Sequence, residues 1–183
     1  MSEQAWRRLG AVDVHYPPDG GARAALLISP DDRFADVLAE HVAWLDRVEP
    51  YRPGAFFTRE LPAIRAVLRL AAPVDLLVVD GYVDLSPDGR PGLGAHLHAE
   101  TGVPVIGVAK TAFRSATHAI EVRRGGSDRP LHVTAAGLPD DDAAALVGRM
   151  AGQHRLPEAL RRVDRLARSV VGQSDRSSSA TSG

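Results

Sequence analysis

The 183-residue sequence contains no cysteine. That absence removes disulfides, thiolate metal sites and thiol nucleophiles. Lysine is nearly missing as well: of 22 Lys+Arg, Lys110 is the single lysine. No apolar stretch has the length of a bilayer span, and the N-terminal MSEQAWRRLG has no apolar core of signal-peptide length. A cytoplasmic protein with no membrane partner is the expectation. An excess of one charge is lacking too. The formal net charge is -1 and the pI about 6.7, so contact with nucleic acid must come from a local patch of cations.

What remains is ordinary for a globular domain: 44% hydrophobic and 25% charged residues, in a chain long enough for one proper core. Residues 1–172 read as that single domain and are expected to be monomeric. Residues 173–183, QSDRSSSATSG, are Ser-rich without apolar periodicity and read as a disordered tail. AVDVHY (11–16) alternates like a strand, and AALLIS (24–29) follows the PPDGG turn as a second. Residues 34–45 are ambiguous in spacing, and hairpin order favours a third strand. Thr58 then fits the N-cap of a helix, with Phe57, Leu61, Ile64 and Leu68 in helical register. Arg65 and Arg69 fall on its outer face, and Pro62 lies near the first turn.

VDLLVVD (74–80) and VPVIGVAK (103–110) are short apolar runs of the kind buried on both faces of a sheet. A helix over 92–100 between them implies a parallel pair with a right-handed crossover. A hairpin over 119–133 around Gly125-Gly126 and helices from near Asp140 and near Pro157 complete the chain. The fold class is α/β: a mixed sheet with antiparallel first strands, parallel later strands and helices on both faces.

Ligands of such sheets collect at the carboxyl ends of the parallel strands. Both apolar runs end there in a charge, Asp80 and Lys110. Asp13 interrupts the first strand between two valines, where a charge is costly unless paired or metal-bound. Alone it also reads as an edge-strand acid facing water. Glu60 stands in the first turn of its helix, where the dipole favours an acid. It also precedes Ile64 and Val67 by four and seven residues, which turns it toward the apolar face. Three acids converging at one sheet edge suit a hard cation such as Mg²⁺. Two such ions, about 3.5–4 Å apart, can clamp the oxygens of a phosphodiester. Lys110 would add a point charge for the phosphate.

These segments together resemble the endonuclease V family, repair nucleases of the ribonuclease H-like fold. AVDVHY, YRPGAFFTRELPAI (51–64), VVDGY (78–82), GLGAHL (92–97), VPVIGVAK and RLPEALRRVDRLAR (155–168) follow the family's motifs in order. The resemblance implies that Asp13, Glu60 and Asp80 bind the metal (Mg²⁺, with Mn²⁺ as substitute) and that Lys110 is the active-site lysine. It implies cleavage 3′ to deoxyinosine in DNA, or action on inosine-containing RNA. It implies that Tyr51, Arg52, Pro53 and Gly54 form a wedge filling the gap left by an extruded base, a step that costs a few kcal/mol. It also implies that backbone groups at Gly81, Val83, Ala109 and Thr111 read the base.

This chain departs from the family pattern in three places. Only ten residues precede the first strand motif. Ser86-Pro87 stands where the family has His-Pro, with an apparent insertion in PDGR. Ala135-Ala136-Gly137-Leu138 replaces a Pro-Gly-His-Arg segment whose His is implied to help hold the metal. Asp140, Asp141 and Asp142 are candidates to substitute for that His, against plain N-capping and dipole roles. The departures leave open a nucleic-acid-binding member with weakened catalysis, or another phosphodiesterase on the same fold. His96 and His98 read as structural. The arginines at 155, 161, 162, 165 and 168 read as a solvated basic face.

Overall fold

The computed structural model describes residues 6–50, 52–53 and 57–169. The proposed tail at 173–183, together with Tyr51 and Gly54 of the proposed wedge, lies outside the described residues.

Seven strands form one sheet: β1 (Leu9–His15), β2 (Ala22–Ser29), β3 (Ala39–Leu45), β4 (Leu76–Asp80), β5 (Val105–Ala109), β6 (Ile120–Val122) and β7 (Leu131–Ala136). Their order across the sheet is β3-β2-β1-β4-β5-β7-β6. β1 to β3 run antiparallel in sequence, β1, β4 and β5 are mutually parallel, and the β6–β7 hairpin closes the far side antiparallel to β5. The mixed architecture expected from the sequence is the one observed.

Helices α1 (Phe57–Leu68), α2 (Leu93–Thr101), α3 (Asp140–Arg149) and α4 (Glu158–Arg168) cover both faces. Strand alternation divides the core in two. Val12, Leu77, Val79 and Val105 pack with Leu61, Ile64 and Val67 of α1 and Leu97 of α2. Leu9, Ala11, Leu76, Val78, Ile106 and Val108 pack with Leu146 and Val147 of α3 and Leu160, Val163 and Ala167 of α4. Each fully buried Val, Leu or Ile contributes about 1.5–3 kcal/mol, so these two layers fix how the helices sit on the sheet.

The differences from the sequence reading are local. The third strand begins only at Ala39. Before it, Phe34 is buried at a left-handed φ of 52°, in a turn anchored by Asp31. The first long helix spans Phe57–Leu68, so Thr58 lies inside it rather than capping it, and Pro62 falls within the helix. Helix α3 has Pro139 at its N-cap position, so the Asp run does not supply the cap. Asp140 instead accepts the Ala135 N–H at 2.8 Å.

One close approach shapes the site end of the sheet. A Cβ on Gly107, in the middle of β5, would stand 2.6 Å from the Gly81 carbonyl oxygen and 2.8 Å from the Val83 nitrogen. The turn after β4 therefore packs directly on bare backbone. Gly107→Ala should displace that turn. We expect a loss of about 1–3 kcal/mol, seen as a Tm lowered by roughly 3–10 °C in a thermal melt.

Candidate active site

Alternation along three neighbouring strands decides where the charges go. Asp13 shares the parity of Leu9 and Ala11. Asp80 shares that of Leu76 and Val78, and Lys110 that of Ile106 and Val108. All three therefore project from the α3/α4 side of the sheet at the carboxyl ends of β1, β4 and β5. Val12 pairs with Val79 and Asp80 with Val108, which sets the three side by side. β1 is hydrogen-bonded on both sides, so Asp13 is not an edge-strand acid. The Lys110 ammonium forms an ion pair with Asp80. Arg155, just before α4, donates to the Lys110 carbonyl and to the Pro130 carbonyl at 2.7 Å, holding the lysine's backbone in place.

Glu60 reaches the same place from α1 and is only 8% exposed. Its inward orientation is the one its spacing to Ile64 and Val67 foretold. Burial raises its pKa to about 8, with repulsion from Asp13 and then Asp80 adding to the effect, while Arg59 pulls the other way. Asp13 is raised to about 7, chiefly by burial and next by Asp80, although its Oδ1 accepts the Val14 N–H at 2.8 Å. Burial lowers the Lys110 pKa, but the hydrogen bond to Asp80 and the charges of Asp80, Asp13 and Asp164 raise it overall. The Arg59 guanidinium lies 3.9 Å from the centre of the Tyr16 ring, clamping the first turn of α1 to the end of β1.

Asp164, on α4, is the acid missed by the sequence reading. It is half-buried, interacts electrostatically with Asp13 and Lys110, and accepts from Arg168 at 2.8 Å. It follows the buried Val163 directly, at the rim of the helix's apolar stripe. Its signal was there to see: an acid beside an apolar contact position in an otherwise Arg-rich helix. Asp141 and Asp142 are exposed and Asp140 is engaged by Ala135, so the acids at the start of α3 are placed elsewhere.

Acid clustering of this kind suits a hard divalent cation. Among the described residues, no three His, Asp or Glu side chains stand in a finished coordination geometry. The Lys110 ammonium occupies one oxygen of the acid that such an ion would share. The donor chemistry, carboxylate oxygens from three elements, is of the kind a hard cation takes.

The raised carboxyl pKa values make a stability prediction. Between about pH 4 and 8 the folded chain binds more protons at Asp13 and Glu60 than the unfolded chain does. Stability is therefore full below their ordinary pKa values and is lost as pH rises through about 7 and 8. In EDTA, Tm should fall across that window, by an amount on the order of a few kcal/mol in unfolding free energy. If these carboxylates hold Mg²⁺, adding it should restore Tm, most at the alkaline end, where protons no longer compete for the same oxygens.

A cavity of about 380 Å³ opens between Glu60 and Asp80. Its wall includes Phe57, Tyr82, Leu85, Arg90, Leu93 and Phe113. The Tyr82 hydroxyl donates to the Thr111 carbonyl at 2.8 Å and accepts the Phe113 N–H at 2.9 Å, tying the turn after β4 to the loop after β5. Phe57 stacks on His96 of α2, with centroids 3.7 Å apart, which supports the opposite wall.

Of the positions implied to read a ligand, Gly81 lines this cavity, with φ of 124°. Its N–H donates to the Val108 carbonyl at 3.0 Å. Val83 is fully buried and its N–H donates to Thr134 Oγ1 at 2.8 Å. Ala109 is buried within β5, and Thr111 is exposed with its carbonyl taken by Tyr82. Arg52 and Pro53 are exposed. The arginines of the C-terminal helix are paired within the fold: Arg161 and Arg165 with Glu158, Arg162 with Glu40, Arg168 with Asp164.

A mixed sheet of this strand order, with acids and a lysine at the carboxyl ends of adjacent parallel strands, defines a ribonuclease H-like fold. The family model for Endonuclease V matches residues 1–138. Endonuclease V of Streptomyces avermitilis is 33% identical over 185 aligned residues, which cover 90% of this chain and 80% of that protein. The chain belongs to the endonuclease V family. The crystal structure of the Streptomyces avermitilis protein superposes with a TM-score of 0.74 at 32% identity, over 88% of this chain and 79% of that one. A Ciona intestinalis endonuclease V, solved with a 23mer DNA containing an inosine followed by a ribo-adenosine, has a TM-score of 0.78 at 16% identity. It covers 92% of this chain and 86% of its own.

None of the helices among the described residues is long and apolar enough to cross a membrane.

Proposed function

We propose that the chain is a Mg²⁺-dependent endonuclease that hydrolyses a phosphodiester 3′ to deoxyinosine in DNA, with Mn²⁺ able to replace Mg²⁺. One observation carries the reading. Asp13, Asp80 and Lys110 emerge side by side from three adjacent strands, with Glu60 coupled to both acids and a base-sized cavity opening beside them. The inosine-containing DNA bound by the Ciona relative supports this choice of substrate.

A bound divalent ion would supply charge for the phosphodiester oxygens and an activated water. Asp13, Glu60 and Asp80 would hold it, with Asp164 beside Asp13 as a fourth carboxylate. In the metal-free chain Asp13 and Glu60 hold protons near neutral pH, which relieves their mutual repulsion. Ionised, these carboxylates would hold the ion, and Lys110 stays paired with Asp80 beside them. The Lys110 ammonium, anchored through its backbone by Arg155, is then a fixed positive charge for the phosphate. Phe57, Leu85, Leu93 and Phe113 exclude water from the neighbouring cavity, where the extruded base would sit.

The test is a nicking assay with Mg²⁺ on a duplex carrying one deoxyinosine, the same duplex with a ribonucleotide 3′ to the lesion, and inosine-containing RNA. A single nick 3′ to inosine, absent from the unmodified strand and in EDTA, is expected. No cleavage of any inosine substrate overturns the reading.

A further inference from the structure

The cavity beside Glu60 and Asp80 is apolar over most of its wall, and Arg90 is the only cationic side chain lining it among the described residues. Most other polar groups there are committed to the fold. The N–H of Gly81 donates to Val108, that of Gly92 to Val83, that of Leu85 to the Arg90 carbonyl and that of Phe113 to the Tyr82 hydroxyl. Tyr82 in turn donates to Thr111. The Glu60 and Asp80 carboxyls offer acceptors. The Arg90 backbone is fixed: its N–H donates to Ser86 Oγ at 3.3 Å and its carbonyl accepts from Leu85 at 2.7 Å. Pro91, which follows, bridges to Asp84. The Arg90 guanidinium has neither an ion pair nor a hydrogen bond among the described residues.

A planar guanidinium carries donors in a fork that matches two acceptors on one edge. A 6-oxopurine presents such an edge, O6 and N7, whereas adenine offers N7 beside an amino donor. Building on the base-pocket reading above, we infer that Arg90 is a specificity-determining residue: its guanidinium engages the O6/N7 edge of an extruded 6-oxopurine and rejects the 6-amino edge of adenine. The contact leaves C2 untouched. Arg90 ends the PDGR segment of the loop between β4 and α2.

The experiment uses the full chain, as wild type, Arg90→Gln and Arg90→Lys. Fluorescence anisotropy gives Kd in Ca²⁺ for duplexes with one deoxyinosine, one 7-deaza-deoxyinosine, or deoxyadenosine at the same position. Nicking in Mg²⁺ gives kcat/KM on the same three. Removing N7 should weaken the wild type about tenfold, while Arg90→Gln should respond less than about twofold to that change. On deoxyinosine itself Arg90→Gln should lose roughly ten- to a hundredfold, with its preference over adenine reduced to match and Tm unchanged. Arg90→Lys should keep charge but recover little of the preference, because it lacks the fork.

Equal losses for Arg90→Gln on the inosine and 7-deaza duplexes would mark a phosphate contact and overturn the inference. So would wild-type indifference to N7 while deoxyinosine is still cut, which leaves the endonuclease reading standing. Arg90-dependent, N7-dependent binding without any nick would do the reverse. A wild type that neither binds nor cuts inosine selectively removes both.

Discussion

Replacing Asp80 by Ala should abolish nicking of deoxyinosine DNA. Asp80 is the acid at the centre of the constellation: Lys110 pairs with it, and it repels both Asp13 and Glu60. Its loss removes a carboxylate from the ion and the partner that orients the ammonium. Several kcal/mol of transition-state stabilisation should go with it, a drop of about a thousandfold or more in kcat. Binding of the inosine duplex should change little, because the cavity wall is otherwise intact. An Asp80→Ala protein that nicks within tenfold of wild type would rule out this carboxylate as a metal ligand.

Glu60→Gln should separate stability from activity. At low pH the native carboxyl is already protonated, and Gln has nearly the same shape and hydrogen-bonding capacity, so the variant should melt with wild type at about pH 5. Above about pH 8 the wild-type side chain ionises within a buried, acidic surround while the variant does not. In EDTA the variant should then be the more stable protein by several degrees. Mg²⁺ should reverse the order, stabilising wild type and leaving the variant nearly unmoved, and kcat should fall about a hundredfold or more. If the melting curves of the two proteins run parallel across the whole pH range, Glu60 does not carry the strain assigned to it.

Much of this arrangement was legible in the sequence because it depends on local period. VDLLVVD and VPVIGVAK announce buried parallel strands through unbroken apolar runs, and a parallel pair forces their terminal charges to the same end. Glu60 declares its inward orientation through Ile64 and Val67, a helical relation internal to one element. The rest depends on contacts between distant segments. Asp164 looks like one charge in a solvated face, because its ion pair with Arg168 is local while its approach to Asp13 comes from packing α4 across β1. Thr58 lies inside a helix whose Phe57 stacks on His96, nearly forty residues on, a contact that Thr58's capping preference does not report.

The hydrogen-bond partners of the backbone groups implied by family resemblance were not legible in the sequence. Whether an N–H is free depends on its partner, and those of Gly81 and Val83 are taken by Val108 and Thr134, from segments some 27 to 51 residues away. Arg90, in the loop between β4 and α2, gave no periodic signal at all. Its interest comes only from the cavity it lines.

Anomalous diffraction from crystals equilibrated with Mn²⁺ tests the central claim most directly. The peak should lie within bonding distance of Asp13 and Asp80 carboxylate oxygens, with Glu60 joining directly or through one water and Lys110 turned toward open space for a phosphate. Density on an unrelated surface acid would contradict the account. So would an empty cluster at a Mn²⁺ concentration that fully supports nicking.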